Sequence, residues 1–184
     1  MLTASRPLPS AADAVVLLLT QPRPAGRRTA VVASAAGVSA AAAAALEQAG
    51  LLPADVTQHC DMRTRFVAPT ATHTGGSVTL PSATAGVSLG AVLATLAEDP
   101  GVDAIVVAVD PAPWSGAQLA RTLDAVSRQY PRVTVVAAVP LARPARAPAI
   151  GTVPSFPDLR RAAQALAAAV VGQQPGGEEI HGPS

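Results

Sequence analysis

The turn Ser34-Ala35-Ala36-Gly37 is the first point in this chain where residue type and spacing favour a bound group. It closes an apolar run and leads into helix-forming sequence at Ser39. The free N–H groups and positive end of a helix N-terminus attract anions, phosphate above all. Gly37 and Ser39 are therefore candidate phosphate-facing residues. An ordinary turn with a serine cap explains the same residues, because the glycines that let a backbone close on a phosphate are mostly missing. Asp110 and Trp114 form a second candidate group, in a loop that follows another apolar run. Trp114, the only tryptophan, can line a partner surface or cover the edge of a sheet. His59-Cys60-Asp61 brings three metal-ligating types together, but three adjacent residues cannot enclose a metal and no second cluster accompanies them. His73 stands in a Thr/Gly-rich segment and reads as a solvated side chain. Arg143 and Arg146 can meet a phosphate or point into water. No lysine occurs, which removes Schiff-base chemistry and the phosphate-binding lysine of a P-loop. No nucleophile stands beside a base, and no residue of the chain is expected to be catalytic by itself.

The elements that must position these groups have a plain pattern. Residues 27–34, 103–109 and 133–139 are short, near-continuous runs rich in Val, Ile and Ala, and each precedes helix-forming sequence. Such runs alternating with helices mark a parallel sheet covered on both faces. Ligands of such sheets bind at the carboxyl ends of the strands. Ser10 is placed to cap a helix over 11–20, and Gln21-Pro22-Arg23-Pro24-Ala25-Gly26 ends it. The pattern predicts further helices over 39–50, 86–97, from Ser115 to Gln129, and 159–171. Ser82 or Thr84 is the expected cap of the third helix, and Asp99-Pro100-Gly101 is a turn. Between 51 and 81 the reading is a strand over 54–60 and short extended pieces at 66–67 and 77–80, with Asp61, Arg63 and Arg65 on a solvated edge. Residues 150–153 are expected to form a short last strand. The chain then divides into an N-terminal helix and Pro/Gly linker (1–25), an α/β domain (26–171) and a disordered Gly/Pro/Glu-rich tail (172–184).

Composition narrows the function classes. With 184 residues the chain can bury one real core. Thirteen basic residues against 12 acidic ones give a net charge of +1, so neither nucleic acid nor an anionic membrane surface is an expected partner. Cys60 is the only cysteine, which forbids an internal disulfide and fits a cytoplasmic protein. The apolar stretch 14–19 lacks the flanks of a signal peptide, and no run approaches a membrane span.

Three phrases, in order, resemble a known arrangement. Residues 11–37 are similar to a lead-in "LLxTQPxPxGRRxAVVxxxxG". Residues 97–107 are similar to "LxxDPxVDAVLV", and residues 151–166 to "GxPxFxxPExAxxALAAL". Together they resemble the second flavodoxin-like domain of NDP-forming acyl-CoA synthetases. These are ligases related to succinyl-CoA synthetase that include bacterial proteins fused to a GNAT acetyltransferase domain. The resemblance covers about residues 11 to 171. It implies an α/β, flavodoxin-like, doubly wound parallel sheet of four to five strands in a single domain. It also implies that helix N-termini of the domain face a phosphohistidine during phosphoryl transfer.

The departures are equally plain. Ser34-Ala35-Ala36-Gly37-Val38 stands where the family has "NAGGPG", and Gly76-Ser77-Val78-Thr79-Leu80 where it has "NPVDL". His73-Thr74-Gly75-Gly76-Ser77 is similar to the family's "SHTG" loop, but lies at the wrong position for it. The stretch before the last strand is cut to residues 142–148. The full enzymes also require a CoA-binding domain, a phosphohistidine domain and an ATP-grasp domain, none of which fits in this chain. The expectation is a detached, diverged accessory domain that binds no cofactor alone. CoA and ATP or ADP belong to the full enzyme, and a CoA-binding/ATP-grasp subunit is the expected partner. A non-catalytic interaction module or an inactive remnant remains the alternative.

Overall fold

The computed structural model describes residues 9–109, 116–139 and 150–171. Their elements run in the order α1 (Pro9–Thr20), β1 (Arg28–Ala33), α2 (Ala36–Gln48), β2 (Leu52–Pro53), α3 (Gln58–Val67), β3 (Thr72–Thr74), β4 (Ser77–Thr79), α4 (Ser82–Ala97), β5 (Ala104–Ala108), α5 (Gly116–Gln129), β6 (Thr134–Ala138), β7 (Ser155–Phe156) and α6 (Leu159–Val171). The sheet order is β3-β4-β1-β5-β6-β7, with β2 also on β1. Every pairing is parallel except β3 with β4. This is the expected α/β flavodoxin-like fold, with a larger sheet than the four to five strands anticipated. One edge position beside β1 is shared by two short strands. β2 pairs with Arg28 and Thr29, and β4 takes over at Val31. Antiparallel β3 adds a further strand outside β4. Counted as positions, the parallel part is the flavodoxin order, with the strand order reversing between β1 and β5.

Side-chain alternation along the strands builds the two core layers. Ala30, Val32, Ile105, Val107, Val135 and Ala137 face Leu89, Leu93 and Leu96 of α4 and Leu119 and Leu123 of α5. Val31, Ala33, Ala104, Val106, Val136 and Ala138 face Leu17 of α1, Ala42 and Leu46 of α2, and Ala162 and Leu166 of α6. Val31, Val32, Ile105, Val107, Val135 and Val136, from the three apolar runs, are all buried. A period of two on a sheet buried on both faces explains why these strands read as unbroken apolar runs. The N-terminal helix belongs to this packing. Leu17 is buried, and Asp13 takes two hydrogen bonds from Arg161 of α6, at 2.8 and 2.7 Å. Among the described residues no helix is long and apolar enough to cross a membrane.

Three local expectations are corrected. Helix α2 begins at Ala36, before Ser39, and its N-cap is Ala35 with no side-chain hydrogen bond. Of the strand expected over 54–60, residues 54–57 are irregular and 58–60 begin helix α3, which also takes in the extended piece expected at 66–67. There Thr57 caps the helix by accepting from the Cys60 N–H at 3.2 Å, and Asp61 binds Arg65 one turn on at 2.9 Å. Residues 150–153 do not extend the sheet, because Ile150 and Val153 bridge each other in a tight turn. The edge falls instead to β7, where Ala137 donates to Pro154 and Val139 to Phe156. Residues 140–149, among them Arg143 and Arg146, and the expected tail 172–184 lie outside the described residues.

Gln21, in the segment read as a linker, is a structural hub. Its side-chain nitrogen donates to Ser127 Oγ at 3.0 Å, and its oxygen accepts from the Val135 N–H at 3.2 Å. One buried amide thus ties the end of α1 to α5 and β6.

Candidate functional site

The carboxyl ends of β1 and β5 lie side by side, with Ser34 donating to Ala108 at 3.3 Å. Helix α2 starts directly after β1, so its first turn stands at the point where strand order reverses. The first N–H groups of a helix have no partner within it. Here the N-cap, Ala35, makes no side-chain bond to them. Gly37 lies in that turn, exposed, with open space where a Cβ would stand. Ser39 sits deeper. Its N–H already donates to Ala35 at 3.0 Å, and the residue is buried. Among the described residues, the open backbone at this turn is therefore that of residues 36–38. Asp110 and Trp114, the candidates for the other wall, lie outside the described residues, as do Arg143 and Arg146.

A second constellation was not visible in the sequence. His73, read as solvated, lies on β3 opposite Val78 with only 9% of its side chain exposed. Its Nδ1 stands 3.0 Å from Asp61 Oδ1, and the other carboxylate oxygen of Asp61 accepts from Arg65 Nε at 2.9 Å. Among the described residues, Nε2 of His73 is buried without a hydrogen-bond partner. The two neighbours Arg65 and His73 hold the Asp61 carboxyl below the usual carboxylate range, Arg65 having the larger influence. Burial lowers the pKa of His73 more than Asp61 raises it. The signals in the sequence were the Gly75-Gly76 pair, a two-residue hairpin turn, and the i,i+4 spacing of Asp61 and Arg65.

The His59-Cys60-Asp61 triplet is divided by the helix. His59 is exposed, Cys60 is buried against Thr95, and Asp61 is bound to Arg65 and His73. Burial pushes the Cys60 thiol up to about 11, so it stays protonated and unreactive near neutrality. Among the described residues no group of three His, Cys, Asp or Glu side chains could hold a metal ion.

The depressed His73 fixes a pH dependence. An unfolded histidine takes up its proton near pH ~6.5, while folded His73 does so only at lower pH. Between those two points the unfolded chain binds more protons, so stability falls as pH drops through that window and levels off below it. Urea midpoints across this range should decline in the wild type and much less in His73→Asn. Equal declines in both would remove His73 as the cause.

No family model matches the sequence, and no curated protein matches it by sequence. Solved structures match by fold. Dinucleotide-forming acetyl-coenzyme A synthetase 1 of Ca. Korarchaeum cryptofilum, in its complex with phosphate and ADP, aligns with a TM-score of 0.73 at 16% identity. Its apo form aligns at 0.72, also with 16% identity. PH0766 from Pyrococcus horikoshii OT3 aligns at 0.70 with 18% identity. Each alignment covers 90% of this chain, but only 37 to 40% of the other. The chain therefore spans well under half the length of the structures whose fold it shares.

Proposed function

We infer that this chain is an accessory domain of the NDP-forming acyl-CoA synthetase type, assisting phosphoryl or acyl-CoA chemistry only when partner domains are present. The observation that carries this reading is the alignment of nine-tenths of the chain with 37% of an acetyl-coenzyme A synthetase. One of those synthetase structures holds phosphate and ADP. In the same reading, the first turn of α2, with Ala35 as its N-cap and Gly37 exposed, receives a phosphoryl group carried by the partner. Asp110 and Trp114 belong to the same proposed partner-facing surface, with Ser39 buried beneath it. CoA and ATP or ADP are held by the missing domains, and the protein works in the cytoplasm. A non-catalytic interaction module is the second reading, favoured by the single glycine in the Ser34–Gly37 turn and by the burial of Ser39.

The chain alone is expected to form no acyl-CoA from a short acid, CoA and ATP. Mixed with a CoA-binding/ATP-grasp subunit, it should raise that subunit's rate, and Gly37→Asp should abolish the gain by setting a negative charge at the helix end. Turnover by the chain alone would overturn the accessory role. No gain from any such subunit would favour the interaction module.

A further inference from the structure

Helix α1 has two unlike faces. Asp13, Ala14 and Leu17 are buried against the body of the domain. Asp13 is the one charged residue of the helix, and it is paired with Arg161 of α6 at 2.7 Å. The opposite face is open. Val15, Val16 and Leu18 are about half exposed, Leu19 is 80% exposed, and Ala11 and Ala12 are exposed before them. Positions 12, 16 and 19 and positions 11, 15 and 18 make two adjacent stripes at the i, i+4, i+7 spacing of a helix–helix seam. Thr20, at the end of the face, turns its hydroxyl back on the helix and donates to Val16 O at 2.8 Å. The four large side chains leave roughly 400 Å² of apolar surface open, within the range of patches that serve as interaction sites.

We propose that two copies of this chain associate through this face, the α1 helices lying antiparallel on each other. Charge favours a second copy as the occupant. From Ala11 to Thr20 the open face carries no charge, so a charged partner would lose water there and gain no ion pair. A second copy brings the same neutral apolar face and no like charge to oppose it. Shape sets the direction. The face tapers, with Ala11 and Ala12 at its first turn and Leu18 and Leu19 at its last. A parallel pair would press leucine on leucine at one end and leave a gap between alanines at the other. An antiparallel pair seats Leu19 of one copy over Ala12 of the other at both ends, with Val15 and Val16 at the centre. Large then meets small, and the helix dipoles oppose. The pair is closed and two-fold, because one patch serves both copies. The face is also preformed, since buried Leu17 and the Asp13–Arg161 bonds hold α1 in place, so little order is lost on pairing. Area sets the strength. Two such faces bury less than ~1,200 Å², the size class of weak, transient contacts. The dimer is therefore a weak one, and dilute samples such as those used for urea unfolding hold the monomer. The inference uses neither the α2 turn nor any synthetase domain, so it stands apart from the accessory reading.

Sedimentation equilibrium of the full chain over a wide concentration range tests this. The apparent mass should rise from 18.3 kDa toward twice that value. Half-association is expected near ~100 µM, in keeping with so small a contact. Over the same range the methyl resonances of Val15, Val16, Leu18 and Leu19 should shift. Ala12→Glu and Leu19→Arg each set an unpaired charge in the contact, and each should weaken association at least about tenfold. Both positions are exposed, and each new charge suits its end of the helix, so the fold is kept. Mixed one to one, the two variants should associate again. An antiparallel pair then sets the new carboxylate against the new guanidinium at one end and keeps the natural Leu19–Ala12 contact at the other. A parallel pair cannot do this, so no recovery in the mixture would overturn the proposed pairing. A mass of 18.3 kDa at every concentration would overturn the dimer itself. So would association that both variants leave unchanged, or methyl shifts confined to residues outside α1. If either variant fails to fold, the wild-type mass and methyl shifts still decide.

Discussion

Ile105→Ala should cost about 2 to 5 kcal/mol of folding stability, the range for a large aliphatic residue cut back in a close-packed core. Ile105 is fully buried as the second residue of β5, between its ladder partners Ala30 and Val135. It is on the face packed by α4 and α5, where Leu93 and Leu123 are equally buried. Regular strands on both sides fix the backbone, so the site has little freedom to collapse onto the lost atoms. That places the cost in the upper part of the range. Ile105→Val should cost about 0.5 to 1.5 kcal/mol by the same argument. Leu19, 80% exposed on α1, supplies the control, and Leu19→Ala should stay within about 0.5 kcal/mol of wild type. Equilibrium urea unfolding reads all three, provided the slope of the transition is unchanged. A change at Ile105 as small as that at Leu19 would mean that β5 is not a central strand.

The same burial explains how much was legible from residues alone. β1, β5 and β6 are covered on both faces, so both sets of alternating positions must be apolar, and the runs stand out. α6 has its expected span, 159–171, and Asp158 accepts from the Arg161 N–H at 2.8 Å in its first turn. α3 was not legible, because only Cys60 and Thr64 of its ten residues are buried. A helix that hides so little has no apolar period to show. What holds it is a cap, an i,i+4 ion pair and a salt bridge from Arg63 to Glu98. Misreading α3 also hid the Asp61–His73 pair. Its members are 12 positions apart, and they meet only if one lies on a helix and the other on a strand beneath it. The turn at the end of β1 is legible in the sequence, but the helix start is not, because a serine is the usual cap and Ser39 lies inside α2. Here Ala35 occupies that position, and nothing in its side chain marks it.

Gly101→Ala should destabilise the fold by about 3 kcal/mol or more, at or above the top of the usual range for overpacking. The turn Asp99-Pro100-Gly101 was legible as a turn, but its place in the fold was not. Asp99 is buried and serves two segments at once. One oxygen accepts from the Thr57 N–H at 3.0 Å and the Thr57 hydroxyl at 2.6 Å, while the other accepts from the Gly101 N–H at 2.7 Å. Those bonds hold the Asp99 carboxyl below the usual carboxylate range even though burial alone would raise it. They also draw residues 99–101 against the β2–α3 connection. A Cβ on Gly101 would overlap the Asp55 carbonyl oxygen and lie 2.9 Å from both the Asp55 carbonyl carbon and Asp99 Oδ1. Two of these neighbours are backbone atoms and the third is a carboxylate already fixed by three bonds, so none can move cheaply. Relief requires the connection to swing away, which breaks the Thr57–Asp99 bonds and with them the cap of α3. Gly37→Ala, where a new methyl meets open space, should leave stability nearly unchanged. Urea unfolding of the two variants separates a steric cause from a general glycine effect. Loss of the Gly101 variant's α3 amide protection ahead of global unfolding, read by hydrogen exchange, would locate the damage at that cap. Equal, small changes in both variants would show that residues 99–101 do not pack on Asp55.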